Sequence, residues 1–181
     1  MPSRGEAAAN TMVVVDRVVI LGPGGAGKST LARRLGAQTG LPVVHLDRHF
    51  WHPGWVETPR DEWRVRQRAL LAGDRWIADG NYSGTLDERL PRADTVVLLD
   101  FAPWRTLPRV VRRVVLHHGE ELQAAGCPER LDPQFLAWVA NYRRRSRPRV
   151  LAAIAEHAPY VTVYVLRTPR AVDAFVAALS P

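Results

Sequence analysis

The chain has 181 residues, with 25 Lys+Arg against 18 Asp+Glu for a net charge of +7, and is 46% hydrophobic and 24% charged. That balance describes a folded globular chain and excludes disordered and collagen-like classes, while no apolar run reaches the roughly 18 residues that a membrane-spanning helix needs. The single cysteine, Cys127, excludes an internal disulfide framework and a cysteine-based zinc site, and it fits a reducing cytoplasm. The cations are 24 Arg and one Lys, Lys28. A bias toward Arg leaves Lys where a compact ammonium cannot be replaced by a planar guanidinium.

In chain order, Met1 to about Asn10 read as a loose tail, with the folded domain expected from about residue 12 onward. Strands are predicted at Val13–Leu21, Val43–Leu46, Trp76–Ala78, Thr95–Phe101 and Tyr160–Leu166. Several are continuous apolar runs, as expected for parallel strands covered on both faces. A helix is predicted from Lys28 to about Thr39, stopped by Gly40-Leu41-Pro42. Thr58-Pro59-Arg60-Asp61 reads as a capped helix start, and Thr168-Pro169 opens the last helix in the same way. Residues 104 to 157 read as a helical, Arg-rich insertion without a strand. This alternation predicts a doubly wound α/β sheet in one domain.

Gly22-Pro23-Gly24-Gly25-Ala26-Gly27-Lys28-Ser29-Thr30 follows an apolar strand and opens a helix, fitting G-x-x-x-x-G-K-[ST]. Glycines let successive backbone N–H groups converge on phosphate oxygens, and the following helix adds its positive end. Lys28 is expected to reach the β- and γ-phosphates, and the Ser29 hydroxyl to ligate Mg²⁺. Three acids follow strands: Asp47, Asp79 and Asp100. Ligands of doubly wound sheets collect there. One acid so placed can hold Mg²⁺ through water and another can orient or deprotonate an acceptor hydroxyl; Asp47 and Asp79 are read as functional and Asp100 as structural.

Taken together, Gly22–Thr30, His45-Leu46-Asp47, Trp76-Ile77-Ala78-Asp79-Gly80-Asn81-Tyr82 and Val96-Val97-Leu98-Leu99-Asp100 resemble the adenylate-kinase-like P-loop kinases. The resemblance is closest to bacterial DNA topology modulation (FlaR-type) proteins, carried also by Pro53-Gly54-Trp55, Gly126-Cys127-Pro128-Glu129 and Asn141-Tyr142…Arg145-Ser146-Arg147-Pro148. It implies a five-stranded parallel sheet of order 2-3-1-4-5, an acceptor-binding segment at about 47–75 and an Arg-bearing lid at about 104–157. It also implies ATP and Mg²⁺ as cofactors, Ser29 and Asp79 as the metal pair, and Asp47 facing the acceptor. Nucleoside monophosphate kinases of this group carry Asp-Gly-Phe-Pro-Arg after strand 3. Asp79-Gly80-Asn81-Tyr82-Ser83 lacks that arginine, which points to a hydroxyl-bearing acceptor.

Phe50, Trp51 and Trp55 cluster after Asp47. They form either a stacking pocket for a planar or sugar-like acceptor, joined by Asn81 and Tyr82, or packing for an irregular segment. His45, His49 and His52 match no metal-ligand spacing. The run Arg143-Arg144-Arg145-Ser146-Arg147-Pro148-Arg149 reads as a lid, with Arg143 and Arg147 as phosphate contacts, as a solvated face or as a nucleic-acid strip. Arg105, Arg109 and Arg112 share one helix face that would extend a basic wall. The expectation is a cytoplasmic ATP·Mg²⁺-dependent kinase for a small acceptor, monomeric or dimeric and without a membrane partner. The alternative is a nucleic-acid-associated P-loop ATPase that regulates DNA topology.

Overall fold

The computed structural model describes residues 15–179, so the expected N-terminal tail lies outside the described residues. Five parallel strands make the main sheet: β1 (Arg17–Leu21), β2 (Val43–His45), β5 (Trp76–Asp79), β6 (Thr95–Leu99) and β7 (Thr162–Leu166). Their spatial order is β2-β5-β1-β6-β7. Counted along the main sheet alone, that is the expected 2-3-1-4-5. The numbering shifts because a small antiparallel hairpin, β3 (Trp51–His52) with β4 (Val56–Glu57), lies between the second and third sheet strands.

Apolar character on both faces of β1 dictates its central place, since Val18, Val19, Ile20 and Leu21 are all fully buried. Burying each such side chain contributes roughly 1.5–3 kcal/mol. Val18 and Ile20 pack with α1 (Lys28–Thr39) and α7 (Pro169–Ala177) through Leu31, Leu35 and Phe175. Val19 and Leu21 face the other way, toward Val150 and Ile154 of the long helix α6 (Pro133–His157). The remaining helices are α2 (Asp47–Phe50), α3 (Arg60–Leu70), α4 (Leu86–Arg89) and α5 (Pro103–Leu116). The insertion is therefore two helices, α5 and α6, joined by residues 117–132.

Two helix starts expected from sequence turn out differently. Thr168 caps α7, its hydroxyl accepting from the Ala171 N–H at 3.1 Å. Thr58 does not cap α3. Its buried hydroxyl donates instead to the Phe50 carbonyl at 2.5 Å, and α3 begins after Pro59 without a side-chain cap. The Phe50 carbonyl thus accepts from both the N–H and the hydroxyl of Thr58, tying the end of α2 to the residue before α3.

Chain reversal around β1 fixes the site. The chain leaves β1 toward β2 on one side and later returns to β6 on the other, so a crevice opens beyond the carboxyl end of β1. Gly22–Gly27 occupy that crevice.

Candidate functional site

The phosphate loop is held from three directions. Gly22 accepts from and donates to the Asn81 side chain: its N–H reaches Oδ1 at 3.0 Å and its carbonyl takes the Nδ2 proton. Gly25 has φ +73°, and a Cβ there would lie 2.5 Å from the Thr106 carbonyl of α5, so only glycine fits. Gly24 lies against Phe135 and Val139 of α6. Gly27, in the left-handed region at φ 91°, ends the loop and starts α1.

Lys28 donates to the Gly22 and Pro23 carbonyls at 3.0 and 3.1 Å, and has no ion-pair partner among the described residues. Burial pushes its pKa down, against the raising fields of Asp47 and Asp79, while Arg113 lowers it further. A part-buried ammonium held only by carbonyls is suited to an anion. The Ser29 hydroxyl donates to Asp79 Oδ2 at 2.6 Å. The other carboxylate oxygen lies 2.5 Å from His45 Nδ1, because His45 and Asp79 are register partners on β2 and β5. A hydroxyl and a carboxylate oxygen side by side beneath a phosphate loop form a hard-oxygen pair suited to Mg²⁺.

Asp47 stands at the start of α2. Tyr82 donates its hydroxyl to Asp47 Oδ1 at 2.5 Å. Burial raises the Asp47 pKa, and Lys28, followed by the Tyr82 hydrogen bond, pulls it back. Tyr82 itself is raised, chiefly by burial and then by Asp47, so it stays a donor. A cavity of about 770 Å³ joins Lys28, Ser29, Asp47, Trp51, Trp55 and Tyr82. A second cavity of about 350 Å³ opens on the other side of Gly25-Ala26-Gly27, between Arg109 of α5 and Pro169 at the start of α7.

Two expected site residues stand elsewhere. Arg143 and Arg147 do not line the main cavity. Arg143 Nε lies 3.1 Å from Asp100 Oδ1, and Arg147 Nε is 3.1 Å from Asp100 Oδ2 without hydrogen-bond geometry. Arg167 Nε is 3.4 Å from the same Oδ2. Spaced i, i+4 on α6, both lid candidates face the end of β6, where a fully buried carboxylate requires counter-charge. Asn81 lines the main cavity, and both ends of its amide are engaged by Gly22.

Two arginines line the cavity, Arg113 and Arg130, neither of them singled out from the sequence; Arg113 is the one fixed in place. Its Nε is held 3.0 Å from Glu129 Oε2, and its charge acts on both Lys28 and Asp47. The i, i+4 relation to Arg109 could have drawn attention to it, had the face been counted at 109 and 113 rather than at 105, 109 and 112. Arg105 instead lies over the exposed Trp104 ring at 4.3 Å.

The aromatic segment resolves into two roles. Phe50 is packed edge-on against Trp63 and tilted against Tyr82. Trp51 and Trp55 both line the cavity, ring centroids 5.4 Å apart at 72°. Trp55 adopts φ 64°, unusual for a large residue, and its indole N–H donates to the Pro128 carbonyl at 3.0 Å. Gly54 N–H to Gly126 O at 2.7 Å and Cys127 Sγ to His52 O at 3.1 Å join the same two segments. A Cβ at Gly126 would fall 2.6 Å from Pro53. The β3–β4 hairpin and the α5–α6 connection thus form one roof over the cavity.

No protein-family model matches the chain. The adenylate kinases of Mycobacterium leprae strains Br4923 and TN are 38% identical over 80 residues, which is 44% of this chain. That alignment spans 42% of those enzymes, less than half of their length. Among solved structures, the chain is similar to shikimate kinase from Acinetobacter baumannii in complex with shikimate, with TM-score 0.56, 19% identity, and coverage of 91% of this chain and 90% of that one. Shikimate kinase from Bacteroides thetaiotaomicron gives TM-score 0.51, 16% identity, and coverage of 91% and 95%. An unliganded sugar kinase from Janibacter sp. HTCC2649 gives TM-score 0.50, 19% identity, and coverage of 91% and 94%. The chain has the three-layer α/β fold of the P-loop kinases.

Proposed function

We propose that the protein is an ATP·Mg²⁺-dependent phosphotransferase acting on a small hydroxyl-bearing acceptor. One observation carries this reading: the Lys28 ammonium, the Ser29 hydroxyl held by Asp79, and the Asp47 carboxylate line a single cavity. The fold likeness to shikimate and sugar kinases and the partial kinship to adenylate kinase support it. The closer kinship to DNA topology modulation proteins rests on the sequence resemblance alone.

Bound ATP·Mg²⁺ would supply the phosphoryl group and a divalent charge. The loop amides and Lys28 would bind and orient the phosphates, and Ser29 and Asp79 would hold the metal. The second cavity, between Arg109 and Pro169, receives the base. Asp47 accepts the proton of an acceptor hydroxyl, with Tyr82 holding its carboxylate in position. Arg113, fixed by Glu129, neutralises charge near Lys28 and Asp47. The hairpin and the α5–α6 connection exclude water. Arg143 and Arg147 fall outside this scheme.

The test is ADP formation by the purified chain with ATP·Mg²⁺ across a panel of hydroxyl acceptors. Lys28→Arg is expected to lower turnover by about 10²–10³-fold although charge is retained. Near-normal turnover in that variant overturns the reading. The nucleic-acid alternative draws on the exposed Arg144, Arg145 and Arg149 of α6. It requires DNA-stimulated ATPase activity and binding that weakens steeply with salt.

A further inference from the structure

We infer that His45 is a positioning residue for the metal site: it fixes the Asp79 carboxylate, which in turn aims the Ser29 hydroxyl at Mg²⁺. This rests on the phosphotransferase reading and extends it to a side chain that does not line the cavity.

Strand register places the imidazole. β2 is the edge strand of the sheet, and it pairs in parallel with β5 so that His45 stands opposite Asp79. The Leu46 N–H donates to the Asp79 carbonyl at 3.1 Å, so the ladder continues past His45 and holds its backbone. His45 Nδ1 lies 2.5 Å from Asp79 Oδ1, with the two side chains only 14% and 3% exposed. A metal-holding carboxylate is ionised and can only accept, so Nδ1 is the donor.

The consequence lies in the carboxylate's freedom to turn. The terminal torsion of an aspartate has no sharp staggered well, so a carboxylate held at one oxygen still swivels. Asp79 is held at both, by His45 at Oδ1 and by the Ser29 hydroxyl at 2.6 Å from Oδ2. Ser29 gives its proton to Oδ2 and thereby turns its lone pairs toward the cavity it lines. Without the bond at Oδ1 the carboxylate can rotate, and the Ser29 proton loses its fixed acceptor. An arginine would also hold the carboxylate, but it would cancel the charge, as at Asp100. An imidazole can donate while neutral, leaving that charge for a cation.

The experiment uses the full chain and compares His45→Leu with His45→Asn. The two replacements have the same shape, and only Asn carries an N–H where Nδ1 now donates. Calorimetric titration of a non-hydrolysable ATP analogue, with and without Mg²⁺, gives the gain in affinity that the metal confers. His45→Leu is expected to shrink that gain about tenfold, whereas His45→Asn should keep it within about threefold of the unmodified chain. In steady-state turnover, His45→Leu should raise the Mg²⁺ concentration for half-maximal rate about tenfold and lower kcat at saturating Mg²⁺ by less than about threefold. In an Asp79→Asn background the same change should bring no further loss, because its route runs through the carboxylate. A gain unmoved by His45→Leu overturns the inference, as does a gain lost equally in both variants or a further loss in the Asp79→Asn background. Should His45→Leu fail to fold, His45→Ala takes its place with the same outcomes. An unmodified chain that gains nothing from Mg²⁺, or does not bind the analogue, would instead overturn the phosphotransferase reading, a result seen before any variant is made.

Discussion

Asp79 and Asp100 are both buried carboxylates at the carboxyl ends of strands that flank β1, one on β5 and the other just past β6. Their surroundings make them opposites. Asp79 meets a hydroxyl and an imidazole, with no guanidinium or ammonium in ion-pair reach among the described residues. Asp100 meets three guanidiniums, those of Arg143, Arg147 and Arg167. A strand-end acid therefore has no function by position alone. Counter-charge decides whether it stays available for a cation or becomes an anchor for neighbouring helices.

The comparison can be broken most decisively at Asp79. Asp79→Asn should lower ATP turnover by about 10²–10³-fold and weaken its dependence on Mg²⁺, with little change in thermal stability. Asp100→Asn should do the reverse. Removing the shared partner of three arginines costs about 2–3 kcal/mol of stability by denaturant titration, less than for a dry ion pair because Arg143 and Arg167 are partly solvated. If Asp100→Asn silences turnover in a protein of unchanged stability, the contrast fails.

Arginines sharpen the same contrast with a smaller effect. Arg113→Gln should reduce turnover roughly 10- to 100-fold. Arg143→Gln should change it less than about threefold and lower stability by about 1 kcal/mol or less, since the residue is substantially exposed. Steady-state kinetics on the two variants decides between the wall of the cavity and the Asp100 anchor as the place where lid arginines act.

The smallest effect is a displaced pH profile. Asp47 accepts a proton only when ionised, and burial holds its pKa above 3.8. Turnover is then full above that raised midpoint and falls as pH drops through it. Tyr82→Phe removes a hydrogen bond that favours the ionised form, so the acid limb of the profile should move to higher pH. An acid limb that stays in place would show that Asp47 is not the titrating group.

Legibility followed sequence distance. The loop Gly22–Thr30 is contiguous, and its chemistry needs only one strand before it and one helix after it. The strands were legible as apolar runs alternating with helices, whereas their order in the sheet came only from the family resemblance. Asn81 shows the limit: an amide 59 residues from Gly22 grips that glycine's backbone, and nothing local reports it. The same holds for Gly126 against Pro53, where a turn glycine proves to be a point of zero clearance between two segments.

What the amino-acid order determined by itself was the parallel sheet, the phosphate loop and the one lysine kept among arginines. These follow from short-range periodicity and from covalent neighbours. Tertiary structure alone decided which arginines line the cavity and which face Asp100. Guanidiniums reach far and pair with whatever buried carboxylate the fold brings near. Their direction is therefore set by packing between α5, α6 and the strand ends, and no local pattern in the arginine run contains it.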